Sequence, residues 1–163
     1  EDPVRVHDEA DDDGDNIEIM VEGYQYGWDF EYPNGHTETG ELTVPADTRV
    51  DVTVTSRDVW HNFGSSDLRI TSDAIPGNTH SNWFSVSSEE VQAQGGEATF
   101  MIECFELCGP GHSAMKGQIT VIPQDEWEEW YKGTGSSDAN VEGGVGADDP
   151  ARVSGAALRG VSA

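Results

Sequence analysis

An all-β sandwich or barrel of antiparallel strands, with one short C-terminal helix, is the fold this 163-residue sequence predicts. Three observations predict it. Apolar and polar residues alternate with a period of two in a series of short segments. Gly-, Pro-, Asn- and Asp-containing turns stand between those segments. A helical apolar stripe is found once, after Pro123. Hydrophobic residues make up 35% of the chain, enough for one modest core.

Residues 1–15 hold six Asp and two Glu with almost nothing to bury, and read as an acidic linker. Order is expected from residue 16, where Ile17, Ile19 and Val21 alternate with Glu18, Met20 and Glu22. Tyr24, Tyr26, Trp28, Phe30 and Tyr32 follow at every second position, predicting a strand with one aromatic face. Pro33-Asn34-Gly35 predicts a turn. Residues 48–55 turn Val50, Val52 and Val54 inward, and 82–86 form a shorter candidate strand. Residues 98–104 place Phe100, Ile102 and Cys104 on one face, and 116–122 close the set. After Pro123, acids occupy the first helical turn, Trp127, Trp130 and Tyr131 form an i, i+3, i+4 stripe, and Lys132-Gly133 ends the helix. The folded domain is therefore expected over 16–132, and the Gly, Ser, Ala and Asp of 133–163 predict a disordered tail.

Thirty-two acids against eight bases give a net charge of −24, which excludes unspecific binding to nucleic acid or anionic lipid. The only lysines are Lys116 and Lys132. Acid-rich, lysine-poor composition is that of proteins adapted to high salt, where screening removes self-repulsion. The alternative is an acidic docking face for a basic partner; the spread of charge along the whole chain favours the salt reading. No apolar run approaches the roughly 18–20 residues that span a bilayer. With no initiator Met and no signal-peptide pattern at Glu1, the chain reads as mature or truncated. His7, His36 and His80 lie in polar surroundings and are expected at the surface.

The chemistry concentrates in Cys104-Phe-Glu-Leu-Cys108-Gly-Pro-Gly-His112-Ser-Ala-Met115, with a second imidazole upstream at His61. A Cys104–Cys108 disulfide would close a very short loop for a small entropic gain and leave His112 and Met115 unexplained. A Cys2His2 zinc site has little use for the methionine. Copper uses every residue. His61, one cysteine, His112 and a weak axial Met115 make the ligand pattern of electron-transfer copper. The second thiolate allows two coppers to be bridged by two sulfurs, so that one electron is shared with little change of geometry.

Cys-x3-Cys-x3-His-x2-Met, with Glu106 second after the first Cys, resembles the CuA domain of subunit II of haem–copper cytochrome c oxidase. His61-Asn-Phe, followed by Leu68-Arg-Ile-Thr-Ser-Asp73-Ala-Ile-Pro-Gly77, is similar to that family's upstream copper-histidine block. Gly23-Tyr-Gln25-Tyr26-Gly-Trp28 resembles its aromatic segment, and together the similarity covers roughly residues 16–131. The resemblance implies a cupredoxin-like Greek-key β-sandwich on the extracytoplasmic face of the membrane, anchored by N-terminal transmembrane helices that this chain lacks. It implies two copper ions held by His61, Cys104, Cys108, His112, Met115 and the backbone carbonyl of Glu106, with the Glu106 side chain reaching magnesium where the catalytic subunit I docks. It also implies electron entry from a soluble donor, a cytochrome c or a small blue-copper protein, and transfer to haem in subunit I, with no bond chemistry in this chain. Tyr26, Trp28 and Trp60 are the electron-entry candidates: Tyr26 stands where the family has Trp and reads at least equally as a packed or half-exposed strand aromatic, Trp28 reads as core, and Trp60, beside His61, reads as a shield for the metal or a space filler. Asp73 is read as either a turn former or an interface charge, and Phe105 stands where a small polar residue is more common. The rival readings are the CuA domain of nitrous-oxide reductase, whose loop has Trp in place of Glu106, a copper-delivery module without a redox task, and a zinc-stabilised binding module.

Overall fold

The computed structural model describes residues 4–5 and 16–135. Among these described residues eleven strands build two packed sheets: β1 (Val4–Arg5), β2 (Asn16–Tyr24), β3 (Gly27–Glu31), β4 (Thr37–Thr39), β5 (Glu41–Pro45), β6 (Arg49–Ser56), β7 (His61–Ser65), β8 (Ile70–Ala74), β9 (His80–Val86), β10 (Ala98–Cys104) and β11 (Lys116–Ile122). One sheet runs β1-β9-β6-β2-β3-β4 and the other β5-β11-β10-β7-β8. The sandwich is mixed rather than wholly antiparallel, because β2 pairs parallel with β6 and β5 with β11. Parallel neighbours need a crossover connection. Here β5 crosses to the second sheet before the chain returns as β6.

The alternation read in the sequence fills the space between the sheets. Ile17, Ile19 and Val21 lie opposite Val50, Val52 and Val54 in register and are buried with them. Phe100 and Ile102 of β10, and Ile119 and Val121 of β11, are buried from the facing sheet. The aromatic run over 24–32 is not one strand. β2 ends at Tyr24, Gln25 and Tyr26 turn the chain, and β3 starts at Gly27, with Gly23 opposite Trp28. The turn reverses which positions face inward. Trp28, Phe30 and Tyr32 enter the core, while Tyr24 points outward beneath the Arg57 guanidinium, 4.4 Å from its ring.

A short helix that the periodicity did not predict, α1 (Ser88–Ala93), is capped by the Ser87 side chain accepting from the Glu90 N–H. The predicted C-terminal helix, α2 (Gln124–Thr134), runs past Lys132. It lays Trp130 edge-on to Tyr32 at 5.4 Å, and Trp127 stacks on Tyr131 at 4.6 Å. Two of the histidines expected at the surface are half-buried. His36 packs against the Tyr32 and Trp130 rings, and the His80 Nδ1 is enclosed. Within the predicted linker, Val4–Arg5 pair with β9 at Val86 and Ser85. His7 and the tail from 136 lie outside the described residues. Among the described residues no helix is long and apolar enough to cross a membrane.

Candidate metal centre

Two loops at one end of the sandwich hold the sequence-predicted ligands. The first leaves β6 and delivers His61 as the opening residue of β7. The second leaves β10 at Cys104 and returns at Met115, immediately before β11. Its neck is closed by the Cys104 N–H donating to the Met115 carbonyl at 3.2 Å, and the Phe105 N–H donates to the Asn62 carbonyl at 3.0 Å. These backbone bonds set the second loop beside the first. Gly109 adopts φ +135°, a conformation that side-chain-bearing residues rarely take, and His112–Ala114 form one turn of 3-10 helix that directs His112 back toward the sulfurs.

The donor atoms converge. The Cys104 and Cys108 sulfurs are 3.9 Å apart, far beyond the roughly 2.05 Å of a disulfide, and both cysteines are free. His61 Nδ1 lies 3.9 Å from the Cys104 sulfur, and His112 Nδ1 lies 3.6 Å from that of Cys108. The Met115 sulfur is 3.7 Å from Cys108, and the Glu106 carbonyl is 3.1 Å from Cys104. His61 and Met115 are each 1% exposed, and the polar His61 ring, taken out of water, needs partners for its nitrogens. The ligand atoms of His61, Cys104 and Cys108 all lie within 4.8 Å of one another. Two thiols, two imidazoles and a thioether form a soft donor set that suits copper.

Protonation follows the burial. Desolvation first, and then the adjoining Cys104 sulfur, push the Cys108 thiol up to about 11. A bound cation reverses that preference, because a coordinating thiol is deprotonated outright. Asp58 behaves oppositely. Burial works against its charge, but hydrogen bonds from His61 and from the Gln25 and Val59 N–H groups outweigh it and hold the carboxyl below its ordinary value.

The remaining candidates separate clearly. Trp28 is fully buried, its ring edge-on to His61 at 6.1 Å between centroids, so it lies beneath the site. Tyr26, 37% exposed, lies over Gly109 and Gly111, and Trp60 is 62% exposed beside His61. The Glu106 side chain is exposed. Asp73 is no turn former. It sits in β8 and accepts from the Asn62 side chain at 2.8 Å. Sequence reasoning missed Asp58, whose Oδ1 is 2.8 Å from His61 Nε2, and the Gln25 side chain, which donates to the Cys108 carbonyl at 2.6 Å. The position of Asp58 three residues before His61 was the available signal.

Residues 36–122, which include all six candidate ligand positions, match the family described as cytochrome c oxidase subunit II, periplasmic domain. The chain belongs to that family. It is 39% identical over 120 residues to the haem–copper oxidase subunit 2 of Aeropyrum pernix, covering 72% of this chain and 49% of that protein. To the cytochrome c oxidase subunit 2 of Thermostichus vulcanus it is 33% identical over 117 residues, covering 72% of this chain and 33% of the relative. The chain thus spans between a third and a half of these subunit II relatives. The crystal structure of the periplasmic domain of subunit II of cytochrome oxidase (CoxB) of Bradyrhizobium japonicum superposes with a TM-score of 0.64 at 27% identity, covering 72% of this chain and 92% of that one. The cupredoxin-like architecture of that subunit II domain is the architecture found here.

Proposed function

We propose that this domain is the electron-entry unit of a terminal oxidase, holding two coppers between His61, Cys104, Cys108, His112, Met115 and the Glu106 carbonyl. The observation that carries the reading is the pair of unbonded sulfurs 3.9 Å apart, each with its own imidazole. Two sulfurs, two imidazoles, a thioether and a carbonyl gathered together offer six donors, more than the four that one tetrahedral ion takes. Bound copper would supply a one-electron couple at low reorganisation.

The protein's own contribution is rigidity and exclusion of water. Cys104 ends one strand, His61 begins another, and Met115 leads directly into a third, so the ligands are fixed by sheet hydrogen bonds. Around the buried donors, Val59, Trp60, Phe105 and Leu107 stand exposed and offer apolar surface to partner proteins. The proposed partners are a soluble donor, a cytochrome c or small blue-copper protein, and the haem-bearing subunit I. Tyr26, over the cysteine loop, and Trp60, beside His61, are the surface candidates for entry; the exposed Glu106 carboxylate is free to meet magnesium at the subunit I face. Family membership supports a position outside the cytoplasm on a membrane-anchored subunit, and the acid-rich composition supports a high-salt setting.

Metal counting with spin resonance on the reconstituted chain tests the assignment. Two coppers sharing one unpaired electron are expected. A single copper, a zinc ion held in preference, or copper that leaves readily without reversible redox would overturn it.

A further inference from the structure

We propose that Gln25 and Asp58 form a brace between the two ligand loops, and are positioning residues for the metal pair. The inference rests on the copper reading above. The β2–β3 turn supplies no ligand, yet it is bonded to both loops. The Gln25 side-chain Nε2 donates to the Cys108 carbonyl at 2.6 Å, and its backbone N–H donates to Asp58 Oδ2 at 2.7 Å. Asp58 Oδ1 lies 2.8 Å from His61 Nε2 and accepts the Val59 N–H at 2.6 Å. A continuous path of hydrogen bonds therefore joins Cys108 to His61 through Gln25 and Asp58.

Each link has a chemical consequence. A carboxylate facing Nε2 keeps the proton there and leaves the Nδ1 lone pair turned toward Cys104, 3.9 Å away. A charged acceptor on the far nitrogen also fixes the orientation of the ring. The Gln25 amide fixes the peptide of Cys108 and so the direction of its sulfur. Two glycines make the approach feasible. A Cβ at Gly109 would stand 2.6 Å from the Tyr26 hydroxyl oxygen and 2.9 Å from Gln25 Nε2, and one at Gly111 would stand 2.4 Å from the Tyr26 ring.

Packing alone would predict that shape, not donation, matters at Gln25. Gln25→Glu keeps the shape and loses the donor, and Gln25→Met loses all polarity; Gln25 is exposed, so neither variant empties the core. The experiment uses the full chain, with copper count, copper loss to a chelator, midpoint potential and, in the copper-free chain, the nitrogen resonances of the His61 ring. Both Gln25 variants should melt like the parent and bind two coppers, but release them about tenfold faster, with a shifted potential. Asp58→Ala should mix the His61 tautomers in the copper-free chain. Gln25 variants with parental release and potential, or an unmixed His61 tautomer in Asp58→Ala, would overturn the brace. Fewer than two coppers in the parent would instead sink the functional reading, while the copper-free His61 resonances still decide the Asp58 link.

Discussion

The two ends of the sandwich treat aromatic and apolar side chains in opposite ways. β11 runs from the metal loop at Met115 to the helix end at Ile122, so the two regions are separated by the length of one strand. At the helix end, α2 folds Trp127, Trp130 and Tyr131 down onto the core, leaving them partly buried. Among the described residues, no α-helix covers the surface at the metal end. Trp60 is 62% and Leu107 77% exposed, while the polar and sulfur groups of His61, Cys104, Cys108 and Met115 are buried. One end covers its large aromatic side chains and the other leaves large apolar side chains in water. Apolar groups left in water in this way gain where they find a protein surface to cover them.

The sharpest way to break this contrast is to remove a sulfur. Cys108→Ser should abolish the shared-valence signal and the second copper while the sandwich still folds, as read by spin resonance and circular dichroism. A variant retaining two electronically coupled coppers would show that the buried sulfurs are not what the metal end is built around. Next comes the helix end. Trp130→Ala should cost about 2 kcal/mol in denaturant unfolding, less than full burial would give, and leave the copper spectrum unchanged.

The same contrast explains what the sequence made legible. β6, β10 and β11 were readable because Val50, Val52 and Val54, or Phe100 and Ile102, alternate as an apolar face must. β7 was not, since its buried positions include His61, Gly64 and Ser65 as well as Phe63. The Gln25-Tyr26 turn was invisible because neither residue is a turn former, and the aromatic spacing runs straight through it. α1 is too short for a helical period to emerge, although Ser87 and Glu90 carry the spacing of a capping pair. The ligands were legible because cysteine, histidine and methionine at such spacing have few other uses. Gln25 was not, because a polar side chain reveals its task only when tertiary structure supplies its partner, and Asp58 carried only its spacing of three residues from His61 as a signal.

Titration separates the two ends next. In the copper-free chain a Cys108 thiol at about 11, above its ordinary 9, favours the protonated native state. The associated stability is complete below pH 9 and is lost as pH rises through 11. Burial, then Glu38, raises the Tyr32 hydroxyl above its ordinary value at the helix end, so its contribution also falls in alkali, with or without metal. The copper-loaded chain, whose thiolates are already ionised, should lose only the Tyr32 part. The melting temperature of the copper-free chain should therefore drop more steeply between pH 9 and 11. Parallel curves for the two forms would remove the metal-end thiol from the alkaline response.

The smallest effect on stability, and the most direct test of the exposed surface, belongs to Trp60 and Leu107. Each is mostly in water, so Trp60→Ser and Leu107→Ser should change the unfolding free energy by no more than about 0.5 kcal/mol. If the exposed apolar groups serve contact with a protein, the same substitutions should slow electron exchange with that partner several-fold. A small inorganic reductant, which needs no docking surface, should reduce parent and variants equally fast. Equal slowing with both reductants would mean that the side chains act on the copper centre itself. Unchanged rates with both would leave the apolar surface around the ligands without a role in contact. Loss of the protein-mediated rate alone, at unchanged stability, would assign the exposure at this end to recognition, in contrast to Trp130, whose packing serves the fold.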